Sequence, residues 1–226
     1  VRNGQQRYFI GYAVWTIAVF ILVFIKGGVD SAGVASILAI LFLGAQLLFI
    51  APIKAFAARI SGCAGFLLSG LFCSSIVEGF HMIHEPVFRM LRIEPAMNVK
   101  SMAVNYGLDL LFTMPVYLAI FSTIWLFISR YRYTLWQYFI VFSMAQALGD
   151  GGVFFFSSKP FLLLFLPYTL VNYHAMNVLP FLLAQRSIEP RIAGWRKYVL
   201  APCAVIAVYL AGGALIKAVG SLFAFS

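Results

Sequence analysis

Only seven acidic residues occur in 226 positions, and three of them, Glu78, Asp109 and Asp150, fall within or at the ends of long apolar runs, as does His174. Such groups are costly in a membrane span and ordinarily face the bundle interior, where they do chemistry or carry ions. Each has polar company at helical spacing. Asn105 lies four residues before Asp109, Gln146 four before Asp150, His81 three after Glu78, and Asn177 three after His174, so each pair can share a helix face. Tyr168, Asn172 and Tyr173 stand near His174, with Pro167 and Pro180 placed to bend that segment. An acid in an apolar pocket is favoured in its protonated form and can protonate an alkene or open an epoxide near neutral pH. Aromatic faces and exclusion of water shelter the resulting carbocation, and a nearby base then removes a proton. This chemistry needs no cofactor.

Each of these residues also has a structural reading. Glu78, His81, His84 and Glu85 suit a helix end at the membrane interface, Asp109 a helix terminus, Asp150 in Gly149-Asp150-Gly151-Gly152 a kinked helix end, and His174 a hydrogen-bonded packing role. The Phe154-Phe155-Phe156 run reads as lipid-facing or core. Glu78, His81 and His84 at i, i+3, i+6 wrap round a helix instead of keeping to one face, so no metal site is expected. Cys63, Cys73 and Cys203 have neither metal-ligand spacing nor the pattern of a disulfide framework. No Gly-rich phosphate loop, Ser/His/Asp set or paired Asp-rich diphosphate motif is present, which argues against ionisation of a prenyl diphosphate.

The elements that must position these groups follow from composition. The chain is 63% hydrophobic and 10% charged, which excludes a soluble domain, since sixteen bases and seven acids cannot coat a globule of this length. Disordered, collagen-like and coiled-coil chains are excluded on the same ground. The bases are scattered between apolar runs, so a net charge of +9 does not point to nucleic acid. A helix needs about 20 apolar residues to cross a hydrocarbon core of about 30 Å. Read between charges, the spans are Tyr8 to Ile25, Ser31 to Ile53, Ile60 to about Gly79, Leu108 to Ser129, Tyr133 to about Phe156, Pro160 to about Leu183, and Tyr198 to about Phe223. The expectation is an all-α, polytopic integral membrane bundle of about seven transmembrane helices, a single membrane domain over residues 1–226. The first segment reads as a span, not a cleaved signal peptide. The runs do not alternate with period two, so a β-barrel is excluded.

Orientation follows from the bases. With the N-terminus cytoplasmic, that side holds Arg2, Arg7, Lys54, Arg59, Arg130, Arg132, Arg186, Arg191, Arg196 and Lys197, against Lys26, Arg89, Arg92, Lys100, Lys159 and Lys217 opposite. Every acid except Glu189 then falls on the outer side, where the longest connection, from about Phe80 to Tyr106, carries His81, His84 and two Glu-Pro pairs that suggest a bent or re-entrant segment.

Ile76-Val77-Glu78-Gly79-Phe80, then Gln146-Ala147-Leu148-Gly149-Asp150, Asn172 and Val178-Leu179-Pro180 resemble, in order and spacing over residues 62–183, the emopamil-binding-protein (EXPERA-domain) group of sterol Δ8–Δ7 isomerases and sterol-binding proteins. The resemblance implies a sterol-like or terpenoid ligand, a membrane-lipid setting and an endoplasmic-reticulum location. It assigns acid roles to Glu78 and Asp109. Ser74 stands where the isomerase has a catalytic histidine, Asn172 is followed by Ala175 where the family has tryptophan, and Asp109 matches only across a local gap. Additional helices at 1–53 and 198–226 flank the EXPERA-like core. Seven helices, this length and buried acids also resemble the small membrane-bound terpene cyclases of meroterpenoid pathways.

The leading expectation is therefore an acid/base enzyme acting on a hydrophobic small molecule, by terpene cyclisation or by sterol-isomerase-like double-bond migration. Glu78, Asp109 and Asp150 are the expected catalytic carboxyls, and Gln146, Asn172, His174, Tyr168 and His81 the expected substrate-binding residues. A non-enzymatic sterol or lipid receptor and a proton-coupled transporter are the competing classes; the chain shows no inverted repeat of the transporter kind.

Overall fold

The computed structural model describes residues 2–56, 60, 62–185, 188 and 192–222. Arg59, Arg186, Glu189 and Arg191 of the charge count, and the Phe223 end of the last span, lie outside the described residues. Among the described residues, seven helices are long and apolar enough to cross a membrane, and no named strand occurs. The chain is an all-α polytopic bundle.

The helices are α1 (Arg2–Gly27), α2 (Ser31–Leu48), α3 (Gly62–His81), α4 (Val99–Ile128), α5 (Leu135–Ser158), α6 (Pro160–Ala184) and α7 (Lys197–Leu222). Their starts are set by local chemistry. Asp30 caps α2 by accepting from the Gly33 N–H at 2.8 Å, and Asn98 caps α4 by accepting from the Ser101 N–H at 2.9 Å. At α5 the Thr134 hydroxyl and the Gln137 amide bond reciprocally to each other's backbone N–H groups. Such caps satisfy donors that the first turn leaves unpaired. After Leu48, the helix is interrupted at Phe49 and resumes over Ile50–Phe56. Pro52, which has no N–H to give to the Leu48 carbonyl, accounts for the break.

α4 starts nine residues earlier than the expected Leu108. A boundary drawn from charge misplaces it, because Lys100 and Asn105 read as residues outside the membrane, whereas the Asn98 cap starts the helix whether or not its first turns are polar. The connection before it, residues 82–98, is accordingly shorter, and it folds back onto the bundle. The Ile93 N–H donates to the Met82 carbonyl at 2.8 Å, Arg92 Nε donates to the Ile83 carbonyl at 3.1 Å, and Met82, Phe88 and Leu91 form a small second core with Tyr106, Phe112 and Ile216.

Five helices form a closed ring: α3 packs on α4, α4 on α7, α7 on α5, α5 on α6, and α6 back on α3. Outside it, α2 leans on α6 and α3, and α1 on α6. The helix α7 closes the ring. At the end away from the 82–98 connection, Lys197 Nζ donates to the Arg132 carbonyl and, at 3.1 Å, to Gln137 Oε1, and lies 4.8 Å over the Tyr133 ring. That buried cation fastens the start of α7 to the α4–α5 connection. The α1–α2, α3–α4 and α5–α6 connections share the other end; Ser31 Oγ meets His84 Nδ1 there at 3.3 Å.

Candidate functional site

Each helix of the ring sends one polar side chain to a common cluster near that end. Glu78 comes from α3, Tyr117 from α4, Asp150 from α5, Tyr173 from α6 and Tyr209 from α7. The Tyr117 hydroxyl donates to Glu78 Oε1, and the Tyr173 hydroxyl donates to Asp150 Oδ2 at 2.6 Å. Hydrogen bonds of this kind are charge-assisted when the carboxyl is ionised. Glu78 lies within electrostatic range of both Asp109 and Asp150, and the Tyr209 phenol is within range of Glu78 and Asp150 together. Glu78 is half-buried, whereas Asp150 is exposed.

Local backbone geometry places Asp150. In α5, two wide turns, Phe139–Ser143 and Leu148–Gly152, bracket the ordinary helical turn Met144–Ala147. Turns of this π type insert a residue into the helix and recur at functional sites. Asp150 itself leaves helical geometry at φ −80°, ψ 40°, and Gly151 follows at φ 90°, a conformation natural only to glycine. A Cβ at Gly149 would stand 2.6 Å from Tyr209 Cβ. Glycine at 149 thus lets α7 come close enough to set Tyr209 beside Asp150.

Asp109 is wholly buried and accepts from the Val87 N–H at 2.8 Å through Oδ1, so it ties the folded-back 82–98 segment to α4. Its Oδ2 has no hydrogen-bond partner. Tyr106, one turn earlier, donates to the Ser75 carbonyl at 2.6 Å. His81 is next to the Asn172 amide and within range of Asp150, which brings both to the cluster's edge.

Three expected substrate-binding residues stand elsewhere. Gln146 does not reach the acids: its amide is paired with that of Asn177, which donates to Gln146 Oε1 at 2.8 Å. Four residues bring Gln146 and Asp150 to one face only at 3.6 residues per turn, and the wide turn at Leu148–Gly152 rotates Asp150 off that face. His174 is held at Nε2 by the Tyr12 hydroxyl, 2.8 Å, and at Nδ1 by the Ser143 hydroxyl, 2.9 Å, with one nitrogen donating and the other accepting. Its neighbour Tyr173 faces the acids, so His174, about 100° round the helix, faces α1 and α5. Tyr168 packs on Phe20 of α1, ring centroids 4.9 Å apart.

Tyr117 and Tyr209 carry no signal in the sequence. A tyrosine in an apolar run reads as packing, and only the three-dimensional meeting of helices shows what its hydroxyl touches. Ser74, a full turn before Glu78, is wholly buried with an unpartnered hydroxyl. Against known proteins, the chain matches no family model, no curated protein and no solved structure.

Proposed function

We propose that this chain is an integral-membrane acid/base enzyme that performs carbocation chemistry on a terpenoid or sterol-like lipid, most simply cyclisation begun by protonation of an alkene or epoxide. One observation carries the reading: two carboxyls from different helices, each with a tyrosine hydroxyl on it, lie within electrostatic range of each other inside one ring of helices. Two such groups in an apolar site ionise one at a time, which leaves one as acid and the other as base. Asp150, the more exposed of the two, is assigned the proton donor and Glu78 the acceptor, with Asp109 tying the 82–98 segment to α4 and His81 and Asn172 positioning the substrate. The resemblance of the Glu78-Gly79 and Gln146 to Asp150 segments to the emopamil-binding group supports the same substrate class and an endoplasmic-reticulum location.

The test is turnover in D₂O with detergent-solubilised protein and a panel of prenylated, epoxidised and sterol-precursor lipids. Protonation at carbon leaves deuterium in the product, read by mass spectrometry. Tight binding without conversion of any panel member means a receptor, and substrate flux in proteoliposomes means a carrier; either overturns the proposal. The distribution of bases supports a cytoplasmic N-terminus. Cysteine labelling should then find positions 96 and 188 on opposite sides of the membrane, and labelling from one side overturns that orientation.

A further inference from the structure

At the end of the bundle away from the carboxyl cluster, the backbone gathers Arg130, Arg132, Arg196 and Lys197. The α4–α5 connection and the segment leading into α7 are bridged there: the Arg132 N–H donates to the Ile192 carbonyl and the Ile192 N–H to the Arg130 carbonyl, both at 3.1 Å. Successive side chains of an extended segment point to opposite sides. Tyr131 and Tyr133 turn inward, to a small cavity shared with Phe181 and Ile188, so Arg130 and Arg132 both turn outward and are exposed. Lys197 lies beneath them. Its side chain is 6% exposed and its Nζ donates to the Arg132 carbonyl, so the exposed Arg196, next to it in the chain, starts about one lysine length from that carbonyl.

What this group lacks is a counter-charge. The acids among the described residues, Asp30, Glu78, Glu85, Glu94, Asp109 and Asp150, belong to the other end of the bundle, and so does the ion pair of His84 with Glu85. Helix dipoles do not supply it, because each helix end carries about half a charge and the starts of α5 and α7 offset the ends of α4 and α6 at this level. The contacts of Lys197 Nζ, the Arg132 carbonyl, Gln137 Oε1 and the Tyr133 and Tyr198 rings, are all uncharged. Cations gathered in this way repel one another, and an anion among them lowers that energy. Trp195, 71% exposed, and Tyr198, 43% exposed, flank the group. Exposed indole and phenol rings at the end of apolar spans belong at the headgroup level. The anion at that level is lipid phosphate, which guanidinium groups grip through paired hydrogen bonds. We infer that Arg130, Arg132 and Arg196, above the buried Lys197, bind the headgroup of an anionic phospholipid of the surrounding bilayer. Choline lipids fit poorly, since their ammonium group is repelled by the same cations. The site shares no residue with the carboxyl cluster and stands independently of the acid/base reading.

The full chain in a neutral detergent is titrated with dioleoyl phosphatidylglycerol and, separately, with dioleoyl phosphatidylcholine, and bound lipid is counted by native mass spectrometry. Phosphatidylglycerol should bind at one site, about tenfold tighter than phosphatidylcholine or more. Each base near an anionic lipid is worth about fivefold in affinity, so Arg130→Gln, Arg132→Gln and Arg196→Gln together should weaken phosphatidylglycerol by about a hundredfold. These side chains are exposed and the bridge uses only backbone atoms, so the fold is kept. If the triple variant fails to fold, each single substitution, at about fivefold, tests the same site. Lys26→Gln, Lys100→Gln and Lys159→Gln together remove the same charge at the other end and should leave the affinity unchanged. Equal affinity for the two lipids, equal weakening by the two triple variants, or no weakening by the arginine substitutions overturns the lipid site. Displacement of phosphatidylglycerol by glycerol 3-phosphate at matched concentration also overturns it, because the ligand is then a soluble phosphate. Binding that appears only with Glu189→Gln does the same, since the occupant is then this chain's own carboxylate.

Discussion

Two polar clusters of the bundle differ in how completely their hydrogen bonds are made. In the first, at the level of Gln146 and Asn177, Asn177 donates to Gln146 and to the Tyr173 carbonyl while accepting from Tyr138, and His174 is bonded on both ring nitrogens. In the second, around Glu78 and Asp150, donors and acceptors are left over. Four of the five buried side-chain atoms without a partner among the described residues, on Ser74, Asp109, Asn172 and Tyr209, belong to it or border it; the fifth is Gln46 Oε1. A fully satisfied buried network rigidifies and specifies a fold, whereas leftover groups cost stability and persist where they serve a ligand. Polarity within a membrane span is therefore a weak guide to function by itself. Incomplete satisfaction is what the proposed function uses to tell the two clusters apart.

That distinction can be broken in order of effect. The largest is at the incomplete cluster: Asp150→Asn and Glu78→Gln should each lower turnover by about 10² to 10⁴ while the thermal melting profile in detergent stays within a few degrees of the parent. A residual rate within a few-fold of the parent for both would make these carboxyls structural. Next, Gly149→Ala places a methyl against Tyr209 and should separate α5 from α7, costing about 1–3 kcal/mol as overpacking does and reducing turnover with it. A fully active, fully stable Gly149→Ala protein would show that the close approach to Tyr209 is incidental. At the satisfied cluster, Asn177→Ala should cost about 1–3 kcal/mol, since interhelical hydrogen bonds in membranes are worth roughly 0.6–2 kcal/mol each. Its surviving folded fraction should turn over at near the parent rate per molecule. The smallest effect is expected at His174→Gln, about 1 kcal/mol or less of stability, with turnover unchanged. Loss of activity there without loss of folding would move His174 into the reacting site and erase the contrast.

The seven spans are legible in the sequence because hydrocarbon thickness imposes a length that charges interrupt. Where the boundaries differ, at Val99 and at Phe49, capping and proline chemistry act against the charge pattern. The acids are legible as costly groups, and their grouping at one end follows from alternating the direction of successive spans. The pairing within the site is not. Gln146 and Asp150 stand four apart, and what separates their faces is the wide turn at Leu148–Gly152, where the Gly149-Asp150-Gly151-Gly152 run suggests a kink but not how far it rotates Asp150. Tyr117 and Tyr209 lie in apolar surroundings, and their importance depends on how far each helix is rotated about its own axis, which hydrophobicity without a strong polar face leaves undetermined.

The length of α4 sets a depth scale for the chemistry. Thirty residues rising 1.5 Å each extend about 45 Å, well beyond a hydrocarbon core of about 30 Å. Measured from Ile128, Asp109 is about 28 Å along the axis, so with one end of α4 at one headgroup plane, Asp109 reaches the other. On the outer flank of this helix, Leu111, Phe112, Pro115 and Val116 face Leu215, Ile216 and Val219 of α7 across an apolar groove of about 520 Å³ that begins at Leu108, beside Asp109. An amphiphile anchored by a hydroxyl or carbonyl among the headgroups would present that polar end at the level of Asp109 while its hydrocarbon body descends beside α4, past the level of Tyr117, about 12 Å further along the axis. The bilayer itself would then act as the first element of substrate orientation, before any side chain is touched.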